Sequence, residues 1–265
     1  MSDAPTRPRT VAIIQARMSS SRLPGKVLME IAGRPAILFM AARVSRARNV
    51  DAVCVATSTD PSDDALAACA EAAGIAVHRG SLDDVLDRFA GAARALGAAI
   101  AVRLTGDCPL IDPDLIDQAV QLIAGGGYDY VSNADPPSFP DGLDVEAMTI
   151  AALEAACAEA RLGSEREHVT PFIRNHPERF PAGHVRSPVD LSALRWTVDY
   201  PDDLAHVRAL AAEVAGDPVL ASRSDFLAVE DRLGPAGNAA HARNEGLAAS
   251  LAQDEAEGGA PPPRR

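Results

Sequence analysis

Apolar residues in the first half of this chain fall in short unbroken blocks. Val11 to Ile14 is the first, followed by residues 51–57, 75–78, 98–105 and 128–132. Blocks this short, bounded by Gly, Pro, Asp and Ser, predict strands buried on both faces of a parallel sheet. Between them lie stretches of helical character, at about 35–48, 63–73, 82–96 and 113–124. Asp60-Pro61-Ser62 and Gly80-Ser81 supply capping residues at helix starts, and Gly74 and Gly125-Gly126-Gly127 supply stops. Strands alternating with helices over about 130 residues imply an α/β fold with a doubly wound, mostly parallel sheet. Right-handed crossovers then bring the loops at the strand ends to one edge.

The pattern changes after Asn133. A proline-containing loop, residues 135–140, precedes Asp141-Gly142-Leu143-Asp144-Val145-Glu146. A helix at about 150–160 leads to the charged cluster Glu165-Arg166-Glu167-His168. Residues 195–199 predict a last strand, and Pro201 opens a helix to about Val214. The organisation expected is a polar lead-in at 1–9 and one domain at 10–214. An excursion at about 133–194 would form a lid, a second-substrate pocket or a subunit contact. A weakly helical extension occupies 215–253, and a disordered tail with three consecutive prolines occupies 254–265.

Composition narrows the class. A chain of 265 residues buries a substantial core. No apolar run approaches the ~18 residues of a membrane span, and the first ten residues contain no apolar signal region. Four cysteines without CxxC spacing are expected to be free thiols in the cytoplasm. A formal charge of -12 argues against wholesale nucleic-acid binding.

Against that acidic background, the loop after the first strand stands out. Arg17, Arg22 and Lys26 lie within ten residues containing no acid, with Ser19, Ser20 and Ser21 between them and Pro24-Gly25 as a turn. Cations, hydroxyls and a glycine turn at a strand end suit a polyphosphate. The loop matches neither GxxxxGK(S/T) nor GxGxxG, which weakens an ATPase or nicotinamide-enzyme reading. Candidate nucleotide-binding residues are Gln15, Ala16, Arg17, Ser19, Ser20, Ser21, Arg22, Gly25 and Lys26, with Thr105 and Gly106 at the end of the fourth strand. Gly106 is expected to let a ligand approach the backbone. Asp107 and Asp199 follow strand ends and form a candidate Mg²⁺ site, since magnesium keeps waters and shares phosphate oxygens. A triphosphate needs about four negative charges neutralised, so Arg22, Lys26, Asp107 and Asp199 are the catalytic candidates.

Other groups read more plainly. Asp84 and Arg88 predict a surface ion pair, and Asp112-Pro113-Asp114 a helix start. His168 belongs to a charge cluster at a helix start. Asn133, Asp141, Asp144 and Glu146 are candidates for contacting an acceptor's hydroxyls, with Arg166 or Arg174 for a carboxylate. Turn chemistry also explains Asp141-Gly142.

Residues 11–28, VAIIQARMSSSRLPGKVL, resemble the signature of the cytidylyltransferases that activate acidic sugars, the CMP-Kdo and CMP-sialic acid synthetases, and above all their spore-coat polysaccharide branch. Gly106-Asp107-Cys108-Pro109-Leu110 and Val198-Asp199-Tyr200-Pro201-Asp202-Asp203-Leu204 are similar to two further family stretches, and Arg243-Asn244-Glu245-Gly246 to the tail of the spore-coat branch. The likeness covers most of residues 10–210. It implies a nucleotide-diphospho-sugar transferase fold, CTP phosphates held by Arg17 to Lys26, and magnesium held by Asp107 and Asp199. It also implies transfer of CMP from CTP to a sugar-acid acceptor with release of pyrophosphate, and a possible homodimer. The excursion differs from the CMP-Kdo and CMP-sialate enzymes, so the acceptor does not carry over. A nucleotide-sugar-dependent glycosyltransferase of related fold and a non-catalytic nucleotide-sensing domain are the alternatives.

Overall fold

Every apolar block of the first half becomes a strand of one sheet. The computed structural model describes residues 7–234 and 241–258. The chain runs β1 (Thr10–Gln15), the short hairpin β2 (Glu30–Ile31) and β3 (Arg34–Pro35), α1 (Ala36–Val44), β4 (Ala52–Ser58) and α2 (Asp64–Ala72). It continues through β5 (Ala76–Gly80), α3 (Val85–Ala95), β6 (Ile100–Thr105), α4 (Pro113–Ala124) and β7 (Tyr130–Ser132). Then follow β8 (Glu146–Thr149), α5 (Ile150–Glu159), α6 (Gly163–His168), α7 (Pro171–Asn175), β9 (Ala182–His184), α8 (Pro201–Glu213), α9 (Arg223–Leu233) and α10 (Glu245–Ala256).

The seven-stranded sheet has the order β5-β4-β1-β6-β8-β7-β9. β1 pairs in parallel with β4 and β6, β4 with β5, and β7 with β9; β8 is antiparallel to both its neighbours. Alternate residues of β1 enter different cores, which is the signature of double winding. Ala12 and Ile14 pack with Phe39 and Met40 of α1, Ile116 of α4 and Val207 of α8. Val11 and Ile13 pack with Leu86 and Phe89 of α3 and Leu153 of α5. Among the described residues, no helix is long and apolar enough to cross a membrane.

The structure corrects four expectations. Residues 133–194 do not simply leave the sheet, since β8 and β9 return to it. Residues 195–199 are not a strand. Trp196 and Val198 are buried, but the segment pairs through a single bridge, Asp141 to Arg195, and a hydrogen bond from the Val198 amide to Asp107 O (2.8 Å). Gly142 makes that approach possible: its φ is +106°, and a Cβ there would lie 2.5 Å from the Thr197 nitrogen. Arg34-Pro35 forms β3 rather than the first turn of α1. Residues 254–256 of the expected tail belong to α10, while residues 259–265 lie outside those described.

Candidate functional site

β1 and β6 end side by side, Gln15 paired with Thr105, so the loops that follow them form one wall of a cleft of about 530 Å³. The basic loop is fixed at both ends. The Met18 amide donates to buried Asp63 Oδ1 (2.7 Å), and Gly25, in the left-handed region, donates to Met18 O (2.9 Å). That turn delivers Lys26 inward, where its ammonium donates to Val198 O (2.7 Å), Asp199 Oδ1 (2.8 Å) and Asp107 Oδ2 (3.3 Å). Arg22 Nη2 pairs with Asp199 Oδ1 (2.7 Å) and its guanidinium lies 5.4 Å over the Tyr200 ring.

These contacts set the protonation states. Burial works against the charge on Lys26, but Asp107 and Asp199 outweigh it and its pKa is raised. Burial would raise Asp107, yet the Lys26 charge and the hydrogen bonds of Thr105 and Cys108 pull it down to about 2. Lys26 and Asp107 are therefore charged at neutral pH.

The acids that adjoin this group behave differently. Arg195, buried, donates to Asp203 (2.8 and 3.0 Å), Asp141 (2.8 Å) and Asp199 (3.4 Å). Burial pushes Asp144 up to about 6 despite its pairing with Arg243, and Asp141, Glu146 and Asp107 add like charge. Glu146 on β8 is paired with Arg103 and bonded by Tyr130 and Thr170. Burial opposes its charge, but Arg103 and Arg174 hold its pKa low. Arg174 pairs with Asp135, and among the described residues its buried Nε has no hydrogen-bond partner.

Of the expected nucleotide residues, Gln15, Ala16, Arg17, Ser20, Ser21, Arg22, Lys26, Thr105 and Gly106 line the cleft; Ser19 is exposed outside it and Gly25 acts as the turn. Gly106 does not serve ligand approach alone. A Cβ there would meet the Ala16 Cβ at 2.9 Å, so it lets the two loops pack. Asp141, Asp144 and Glu146 line the cleft. Asn133 does not: it is 2 % exposed, with both ends of its amide engaged by the backbone of Leu143 and Val145 (2.7 and 2.8 Å). Arg166 does not either, because it pairs with Asp84 and donates to Cys157 O (2.8 Å). The expected Asp84–Arg88 surface pair gives way to this one, and Arg88 is buried, bonded to the carbonyl oxygens of Ser81 and Leu82. Asp112 caps α4 and pairs with Arg223 (2.9 Å), as a helix start should. Sequence reasoning missed Arg195 and Asp203; the signal was an arginine beside a tryptophan, a cation that burial obliges to find acids.

Comparison with known proteins decides the family. A family model described as cytidylyltransferase matches residues 11–201. This chain belongs to the cytidylyltransferase family. It is accordingly a CTP-using nucleotidyltransferase. The spore coat polysaccharide biosynthesis protein SpsF of Bacillus subtilis is 34 % identical over 226 residues, covering 83 % of this chain and 93 % of that one. A 3-deoxy-manno-octulosonate cytidylyltransferase of Anaeromyxobacter is 46 % identical over 122 residues, 44 % of this chain and 48 % of its own. The solved cytidylyltransferase of Leptospira borgpetersenii superposes with a TM-score of 0.81 at 31 % identity, covering 85 % of this chain and 95 % of that one.

Proposed function

We propose that this cytidylyltransferase transfers CMP from CTP to a sugar acid, with magnesium, for the synthesis of a cell-surface glycan in the cytoplasm. The observation that best supports this reading is the meeting of Lys26, Arg22, Asp107 and Asp199 at one end of a cleft. An acceptor hydroxyl attacks the α-phosphorus and gives up its proton to solvent, the bond from phosphorus to the bridging oxygen breaks, and pyrophosphate leaves with the charge. Arg17, Arg22 and Lys26 neutralise that charge, which is worth most where donors are already aimed and water is scarce.

The residues fit magnesium. Lys26 bridges the two carboxylates, and that nearness supports Asp107 and Asp199 as partners for one cation. Among the described residues there is no cluster of three or more metal-binding side chains, so phosphate oxygens and water would complete the shell, as magnesium prefers. Asp107 and Asp199 would hold the ion, which when bound supplies Lewis acidity at the phosphate. Arg174, whose Nε has no partner among the described residues, would meet an acceptor carboxylate. The similarity to SpsF supports a glycan pathway.

Mixing the protein with each nucleoside triphosphate, Mg²⁺ and a panel of ulosonic and nonulosonic acids tests the reading. Pyrophosphate should appear with CTP and at least one acid. Its absence with CTP and every acceptor would overturn the proposal.

A further inference from the structure

Residues 241–247 lie beyond the span matched by the family model, yet four of them, Asn244 to Leu247, line the cleft. Two routes tie this segment to the nucleotide end. In the first, the His241 ring stacks on Tyr200 (3.9 Å between centroids, 14° between planes), and Tyr200 Oη donates to Glu245 (2.8 Å). Arg22 lies over that same Tyr200 ring. His241 Nε2 is also 3.0 Å from Asp202. In the second, Arg243 pairs with Asp144, donates to Phe139 O (3.2 Å) and sits 3.7 Å from Asp141. Asp141 is held by Arg195, and Arg195 reaches Asp199.

Both routes converge on the pair formed by Arg22 and Asp199. We infer that residues 241–247 position Arg22 and Asp199 for the nucleotide, with His241 and Arg243 as the two attachment points. Neither is a catalytic residue; each acts through Tyr200 or Asp141. Networks of this kind fix the rotamers of groups that touch ligand, and loss of one member displaces the next. The far end of α10 makes a separate attachment, where the Ser164 amide donates to Asp254 (3.1 Å). This end serves as an internal control, because Asp254 bonds to Ser164 and, among the described residues, to no member of either route.

The inference rests on the reading that CTP binds at Arg22. Its test needs no acceptor: CTP with Mg²⁺ is titrated into the full chain and its His241→Ala, Arg243→Ala, Arg243→Lys and Asp254→Ala variants by calorimetry, with folding checked by circular dichroism. His241→Ala and Arg243→Ala should each weaken CTP binding about 5- to 10-fold, and Arg243→Lys should recover most of the loss. Asp254→Ala should stay within about twofold of the parent. CTP binding undiminished in both alanine variants, or weakened equally in Asp254→Ala, would overturn the inference and leave the functional reading standing. A parent protein that binds no CTP would overturn both.

Discussion

Two carboxylates in one cleft shift in opposite directions. Beside the basic loop, Asp107 is held at about 2 by Lys26; beside Asp141, Asp144 is pushed up to about 6 although Arg243 touches it. Burial acts on both, so what differs is the balance of neighbouring charge. Asp107 sees a buried ammonium at close range, whereas Asp144 sees one arginine against Asp141, Glu146 and Asp107. The first carboxylate stays charged at neutral pH, as the proposed metal-triphosphate site requires. The second changes state near neutral pH.

The largest effect should come from the fixed charges. Lys26→Ala removes the cation bridging Asp107 and Asp199, and turnover of CTP should fall by about 10²- to 10³-fold. Arg22→Ala should cost less, about 10-fold in apparent CTP KM, because Arg22 is partly exposed and keeps only one carboxylate. Steady-state kinetics of both variants check the order; if both behaved as the parent, the basic loop would be an ordinary surface feature.

A smaller effect tests the second carboxylate. An unfolded aspartate titrates near ~3.9, below the folded value of about 6 for Asp144. The folded protein therefore holds this proton more tightly, so the group's contribution to stability is full below about pH 4 and is lost as pH rises through 6. The loss is on the order of 2 kcal/mol. In urea melts at pH 4 to 7, Asp144→Asn should gain on the parent as pH rises. A difference that stays constant with pH would show that Asp144 is not perturbed as described.

The smallest effect on activity belongs to Asn133. Asn133→Ala should leave CTP turnover within about threefold, but lower stability by about 1–3 kcal/mol through two lost buried hydrogen bonds. A chemical melt and an activity assay on one preparation decide between this and an acceptor role.

The same division governs what was legible in the residues themselves. Blocks such as Val11 to Ile14 announce buried parallel strands because both faces are apolar, and the loop after β1 announces its chemistry because three cations stand in an acidic chain. β8 was invisible. It has four residues, and its one charged member, Glu146, is buried because Arg103, Tyr130 and Thr170 arrive from elsewhere to meet it. Asn133 looked like a binding residue for a similar reason: a buried amide serving Leu143 and Val145 cannot be told from a ligand contact by its type. Trp196, Thr197 and Val198 suggest a strand by composition, but their backbone is aligned by the Gly142 turn and the Asp107 carbonyl instead. Partners distant in the chain decided each of these cases.

Crystals grown with CTP and Mn²⁺, measured at the manganese absorption edge, would locate the cation and the phosphates together. An anomalous peak should be shared by the carboxylates of Asp107 and Asp199, with the phosphates in contact with Lys26 and Arg22. Manganese bound away from either aspartate, or phosphates turned from the basic loop, would contradict the proposed site.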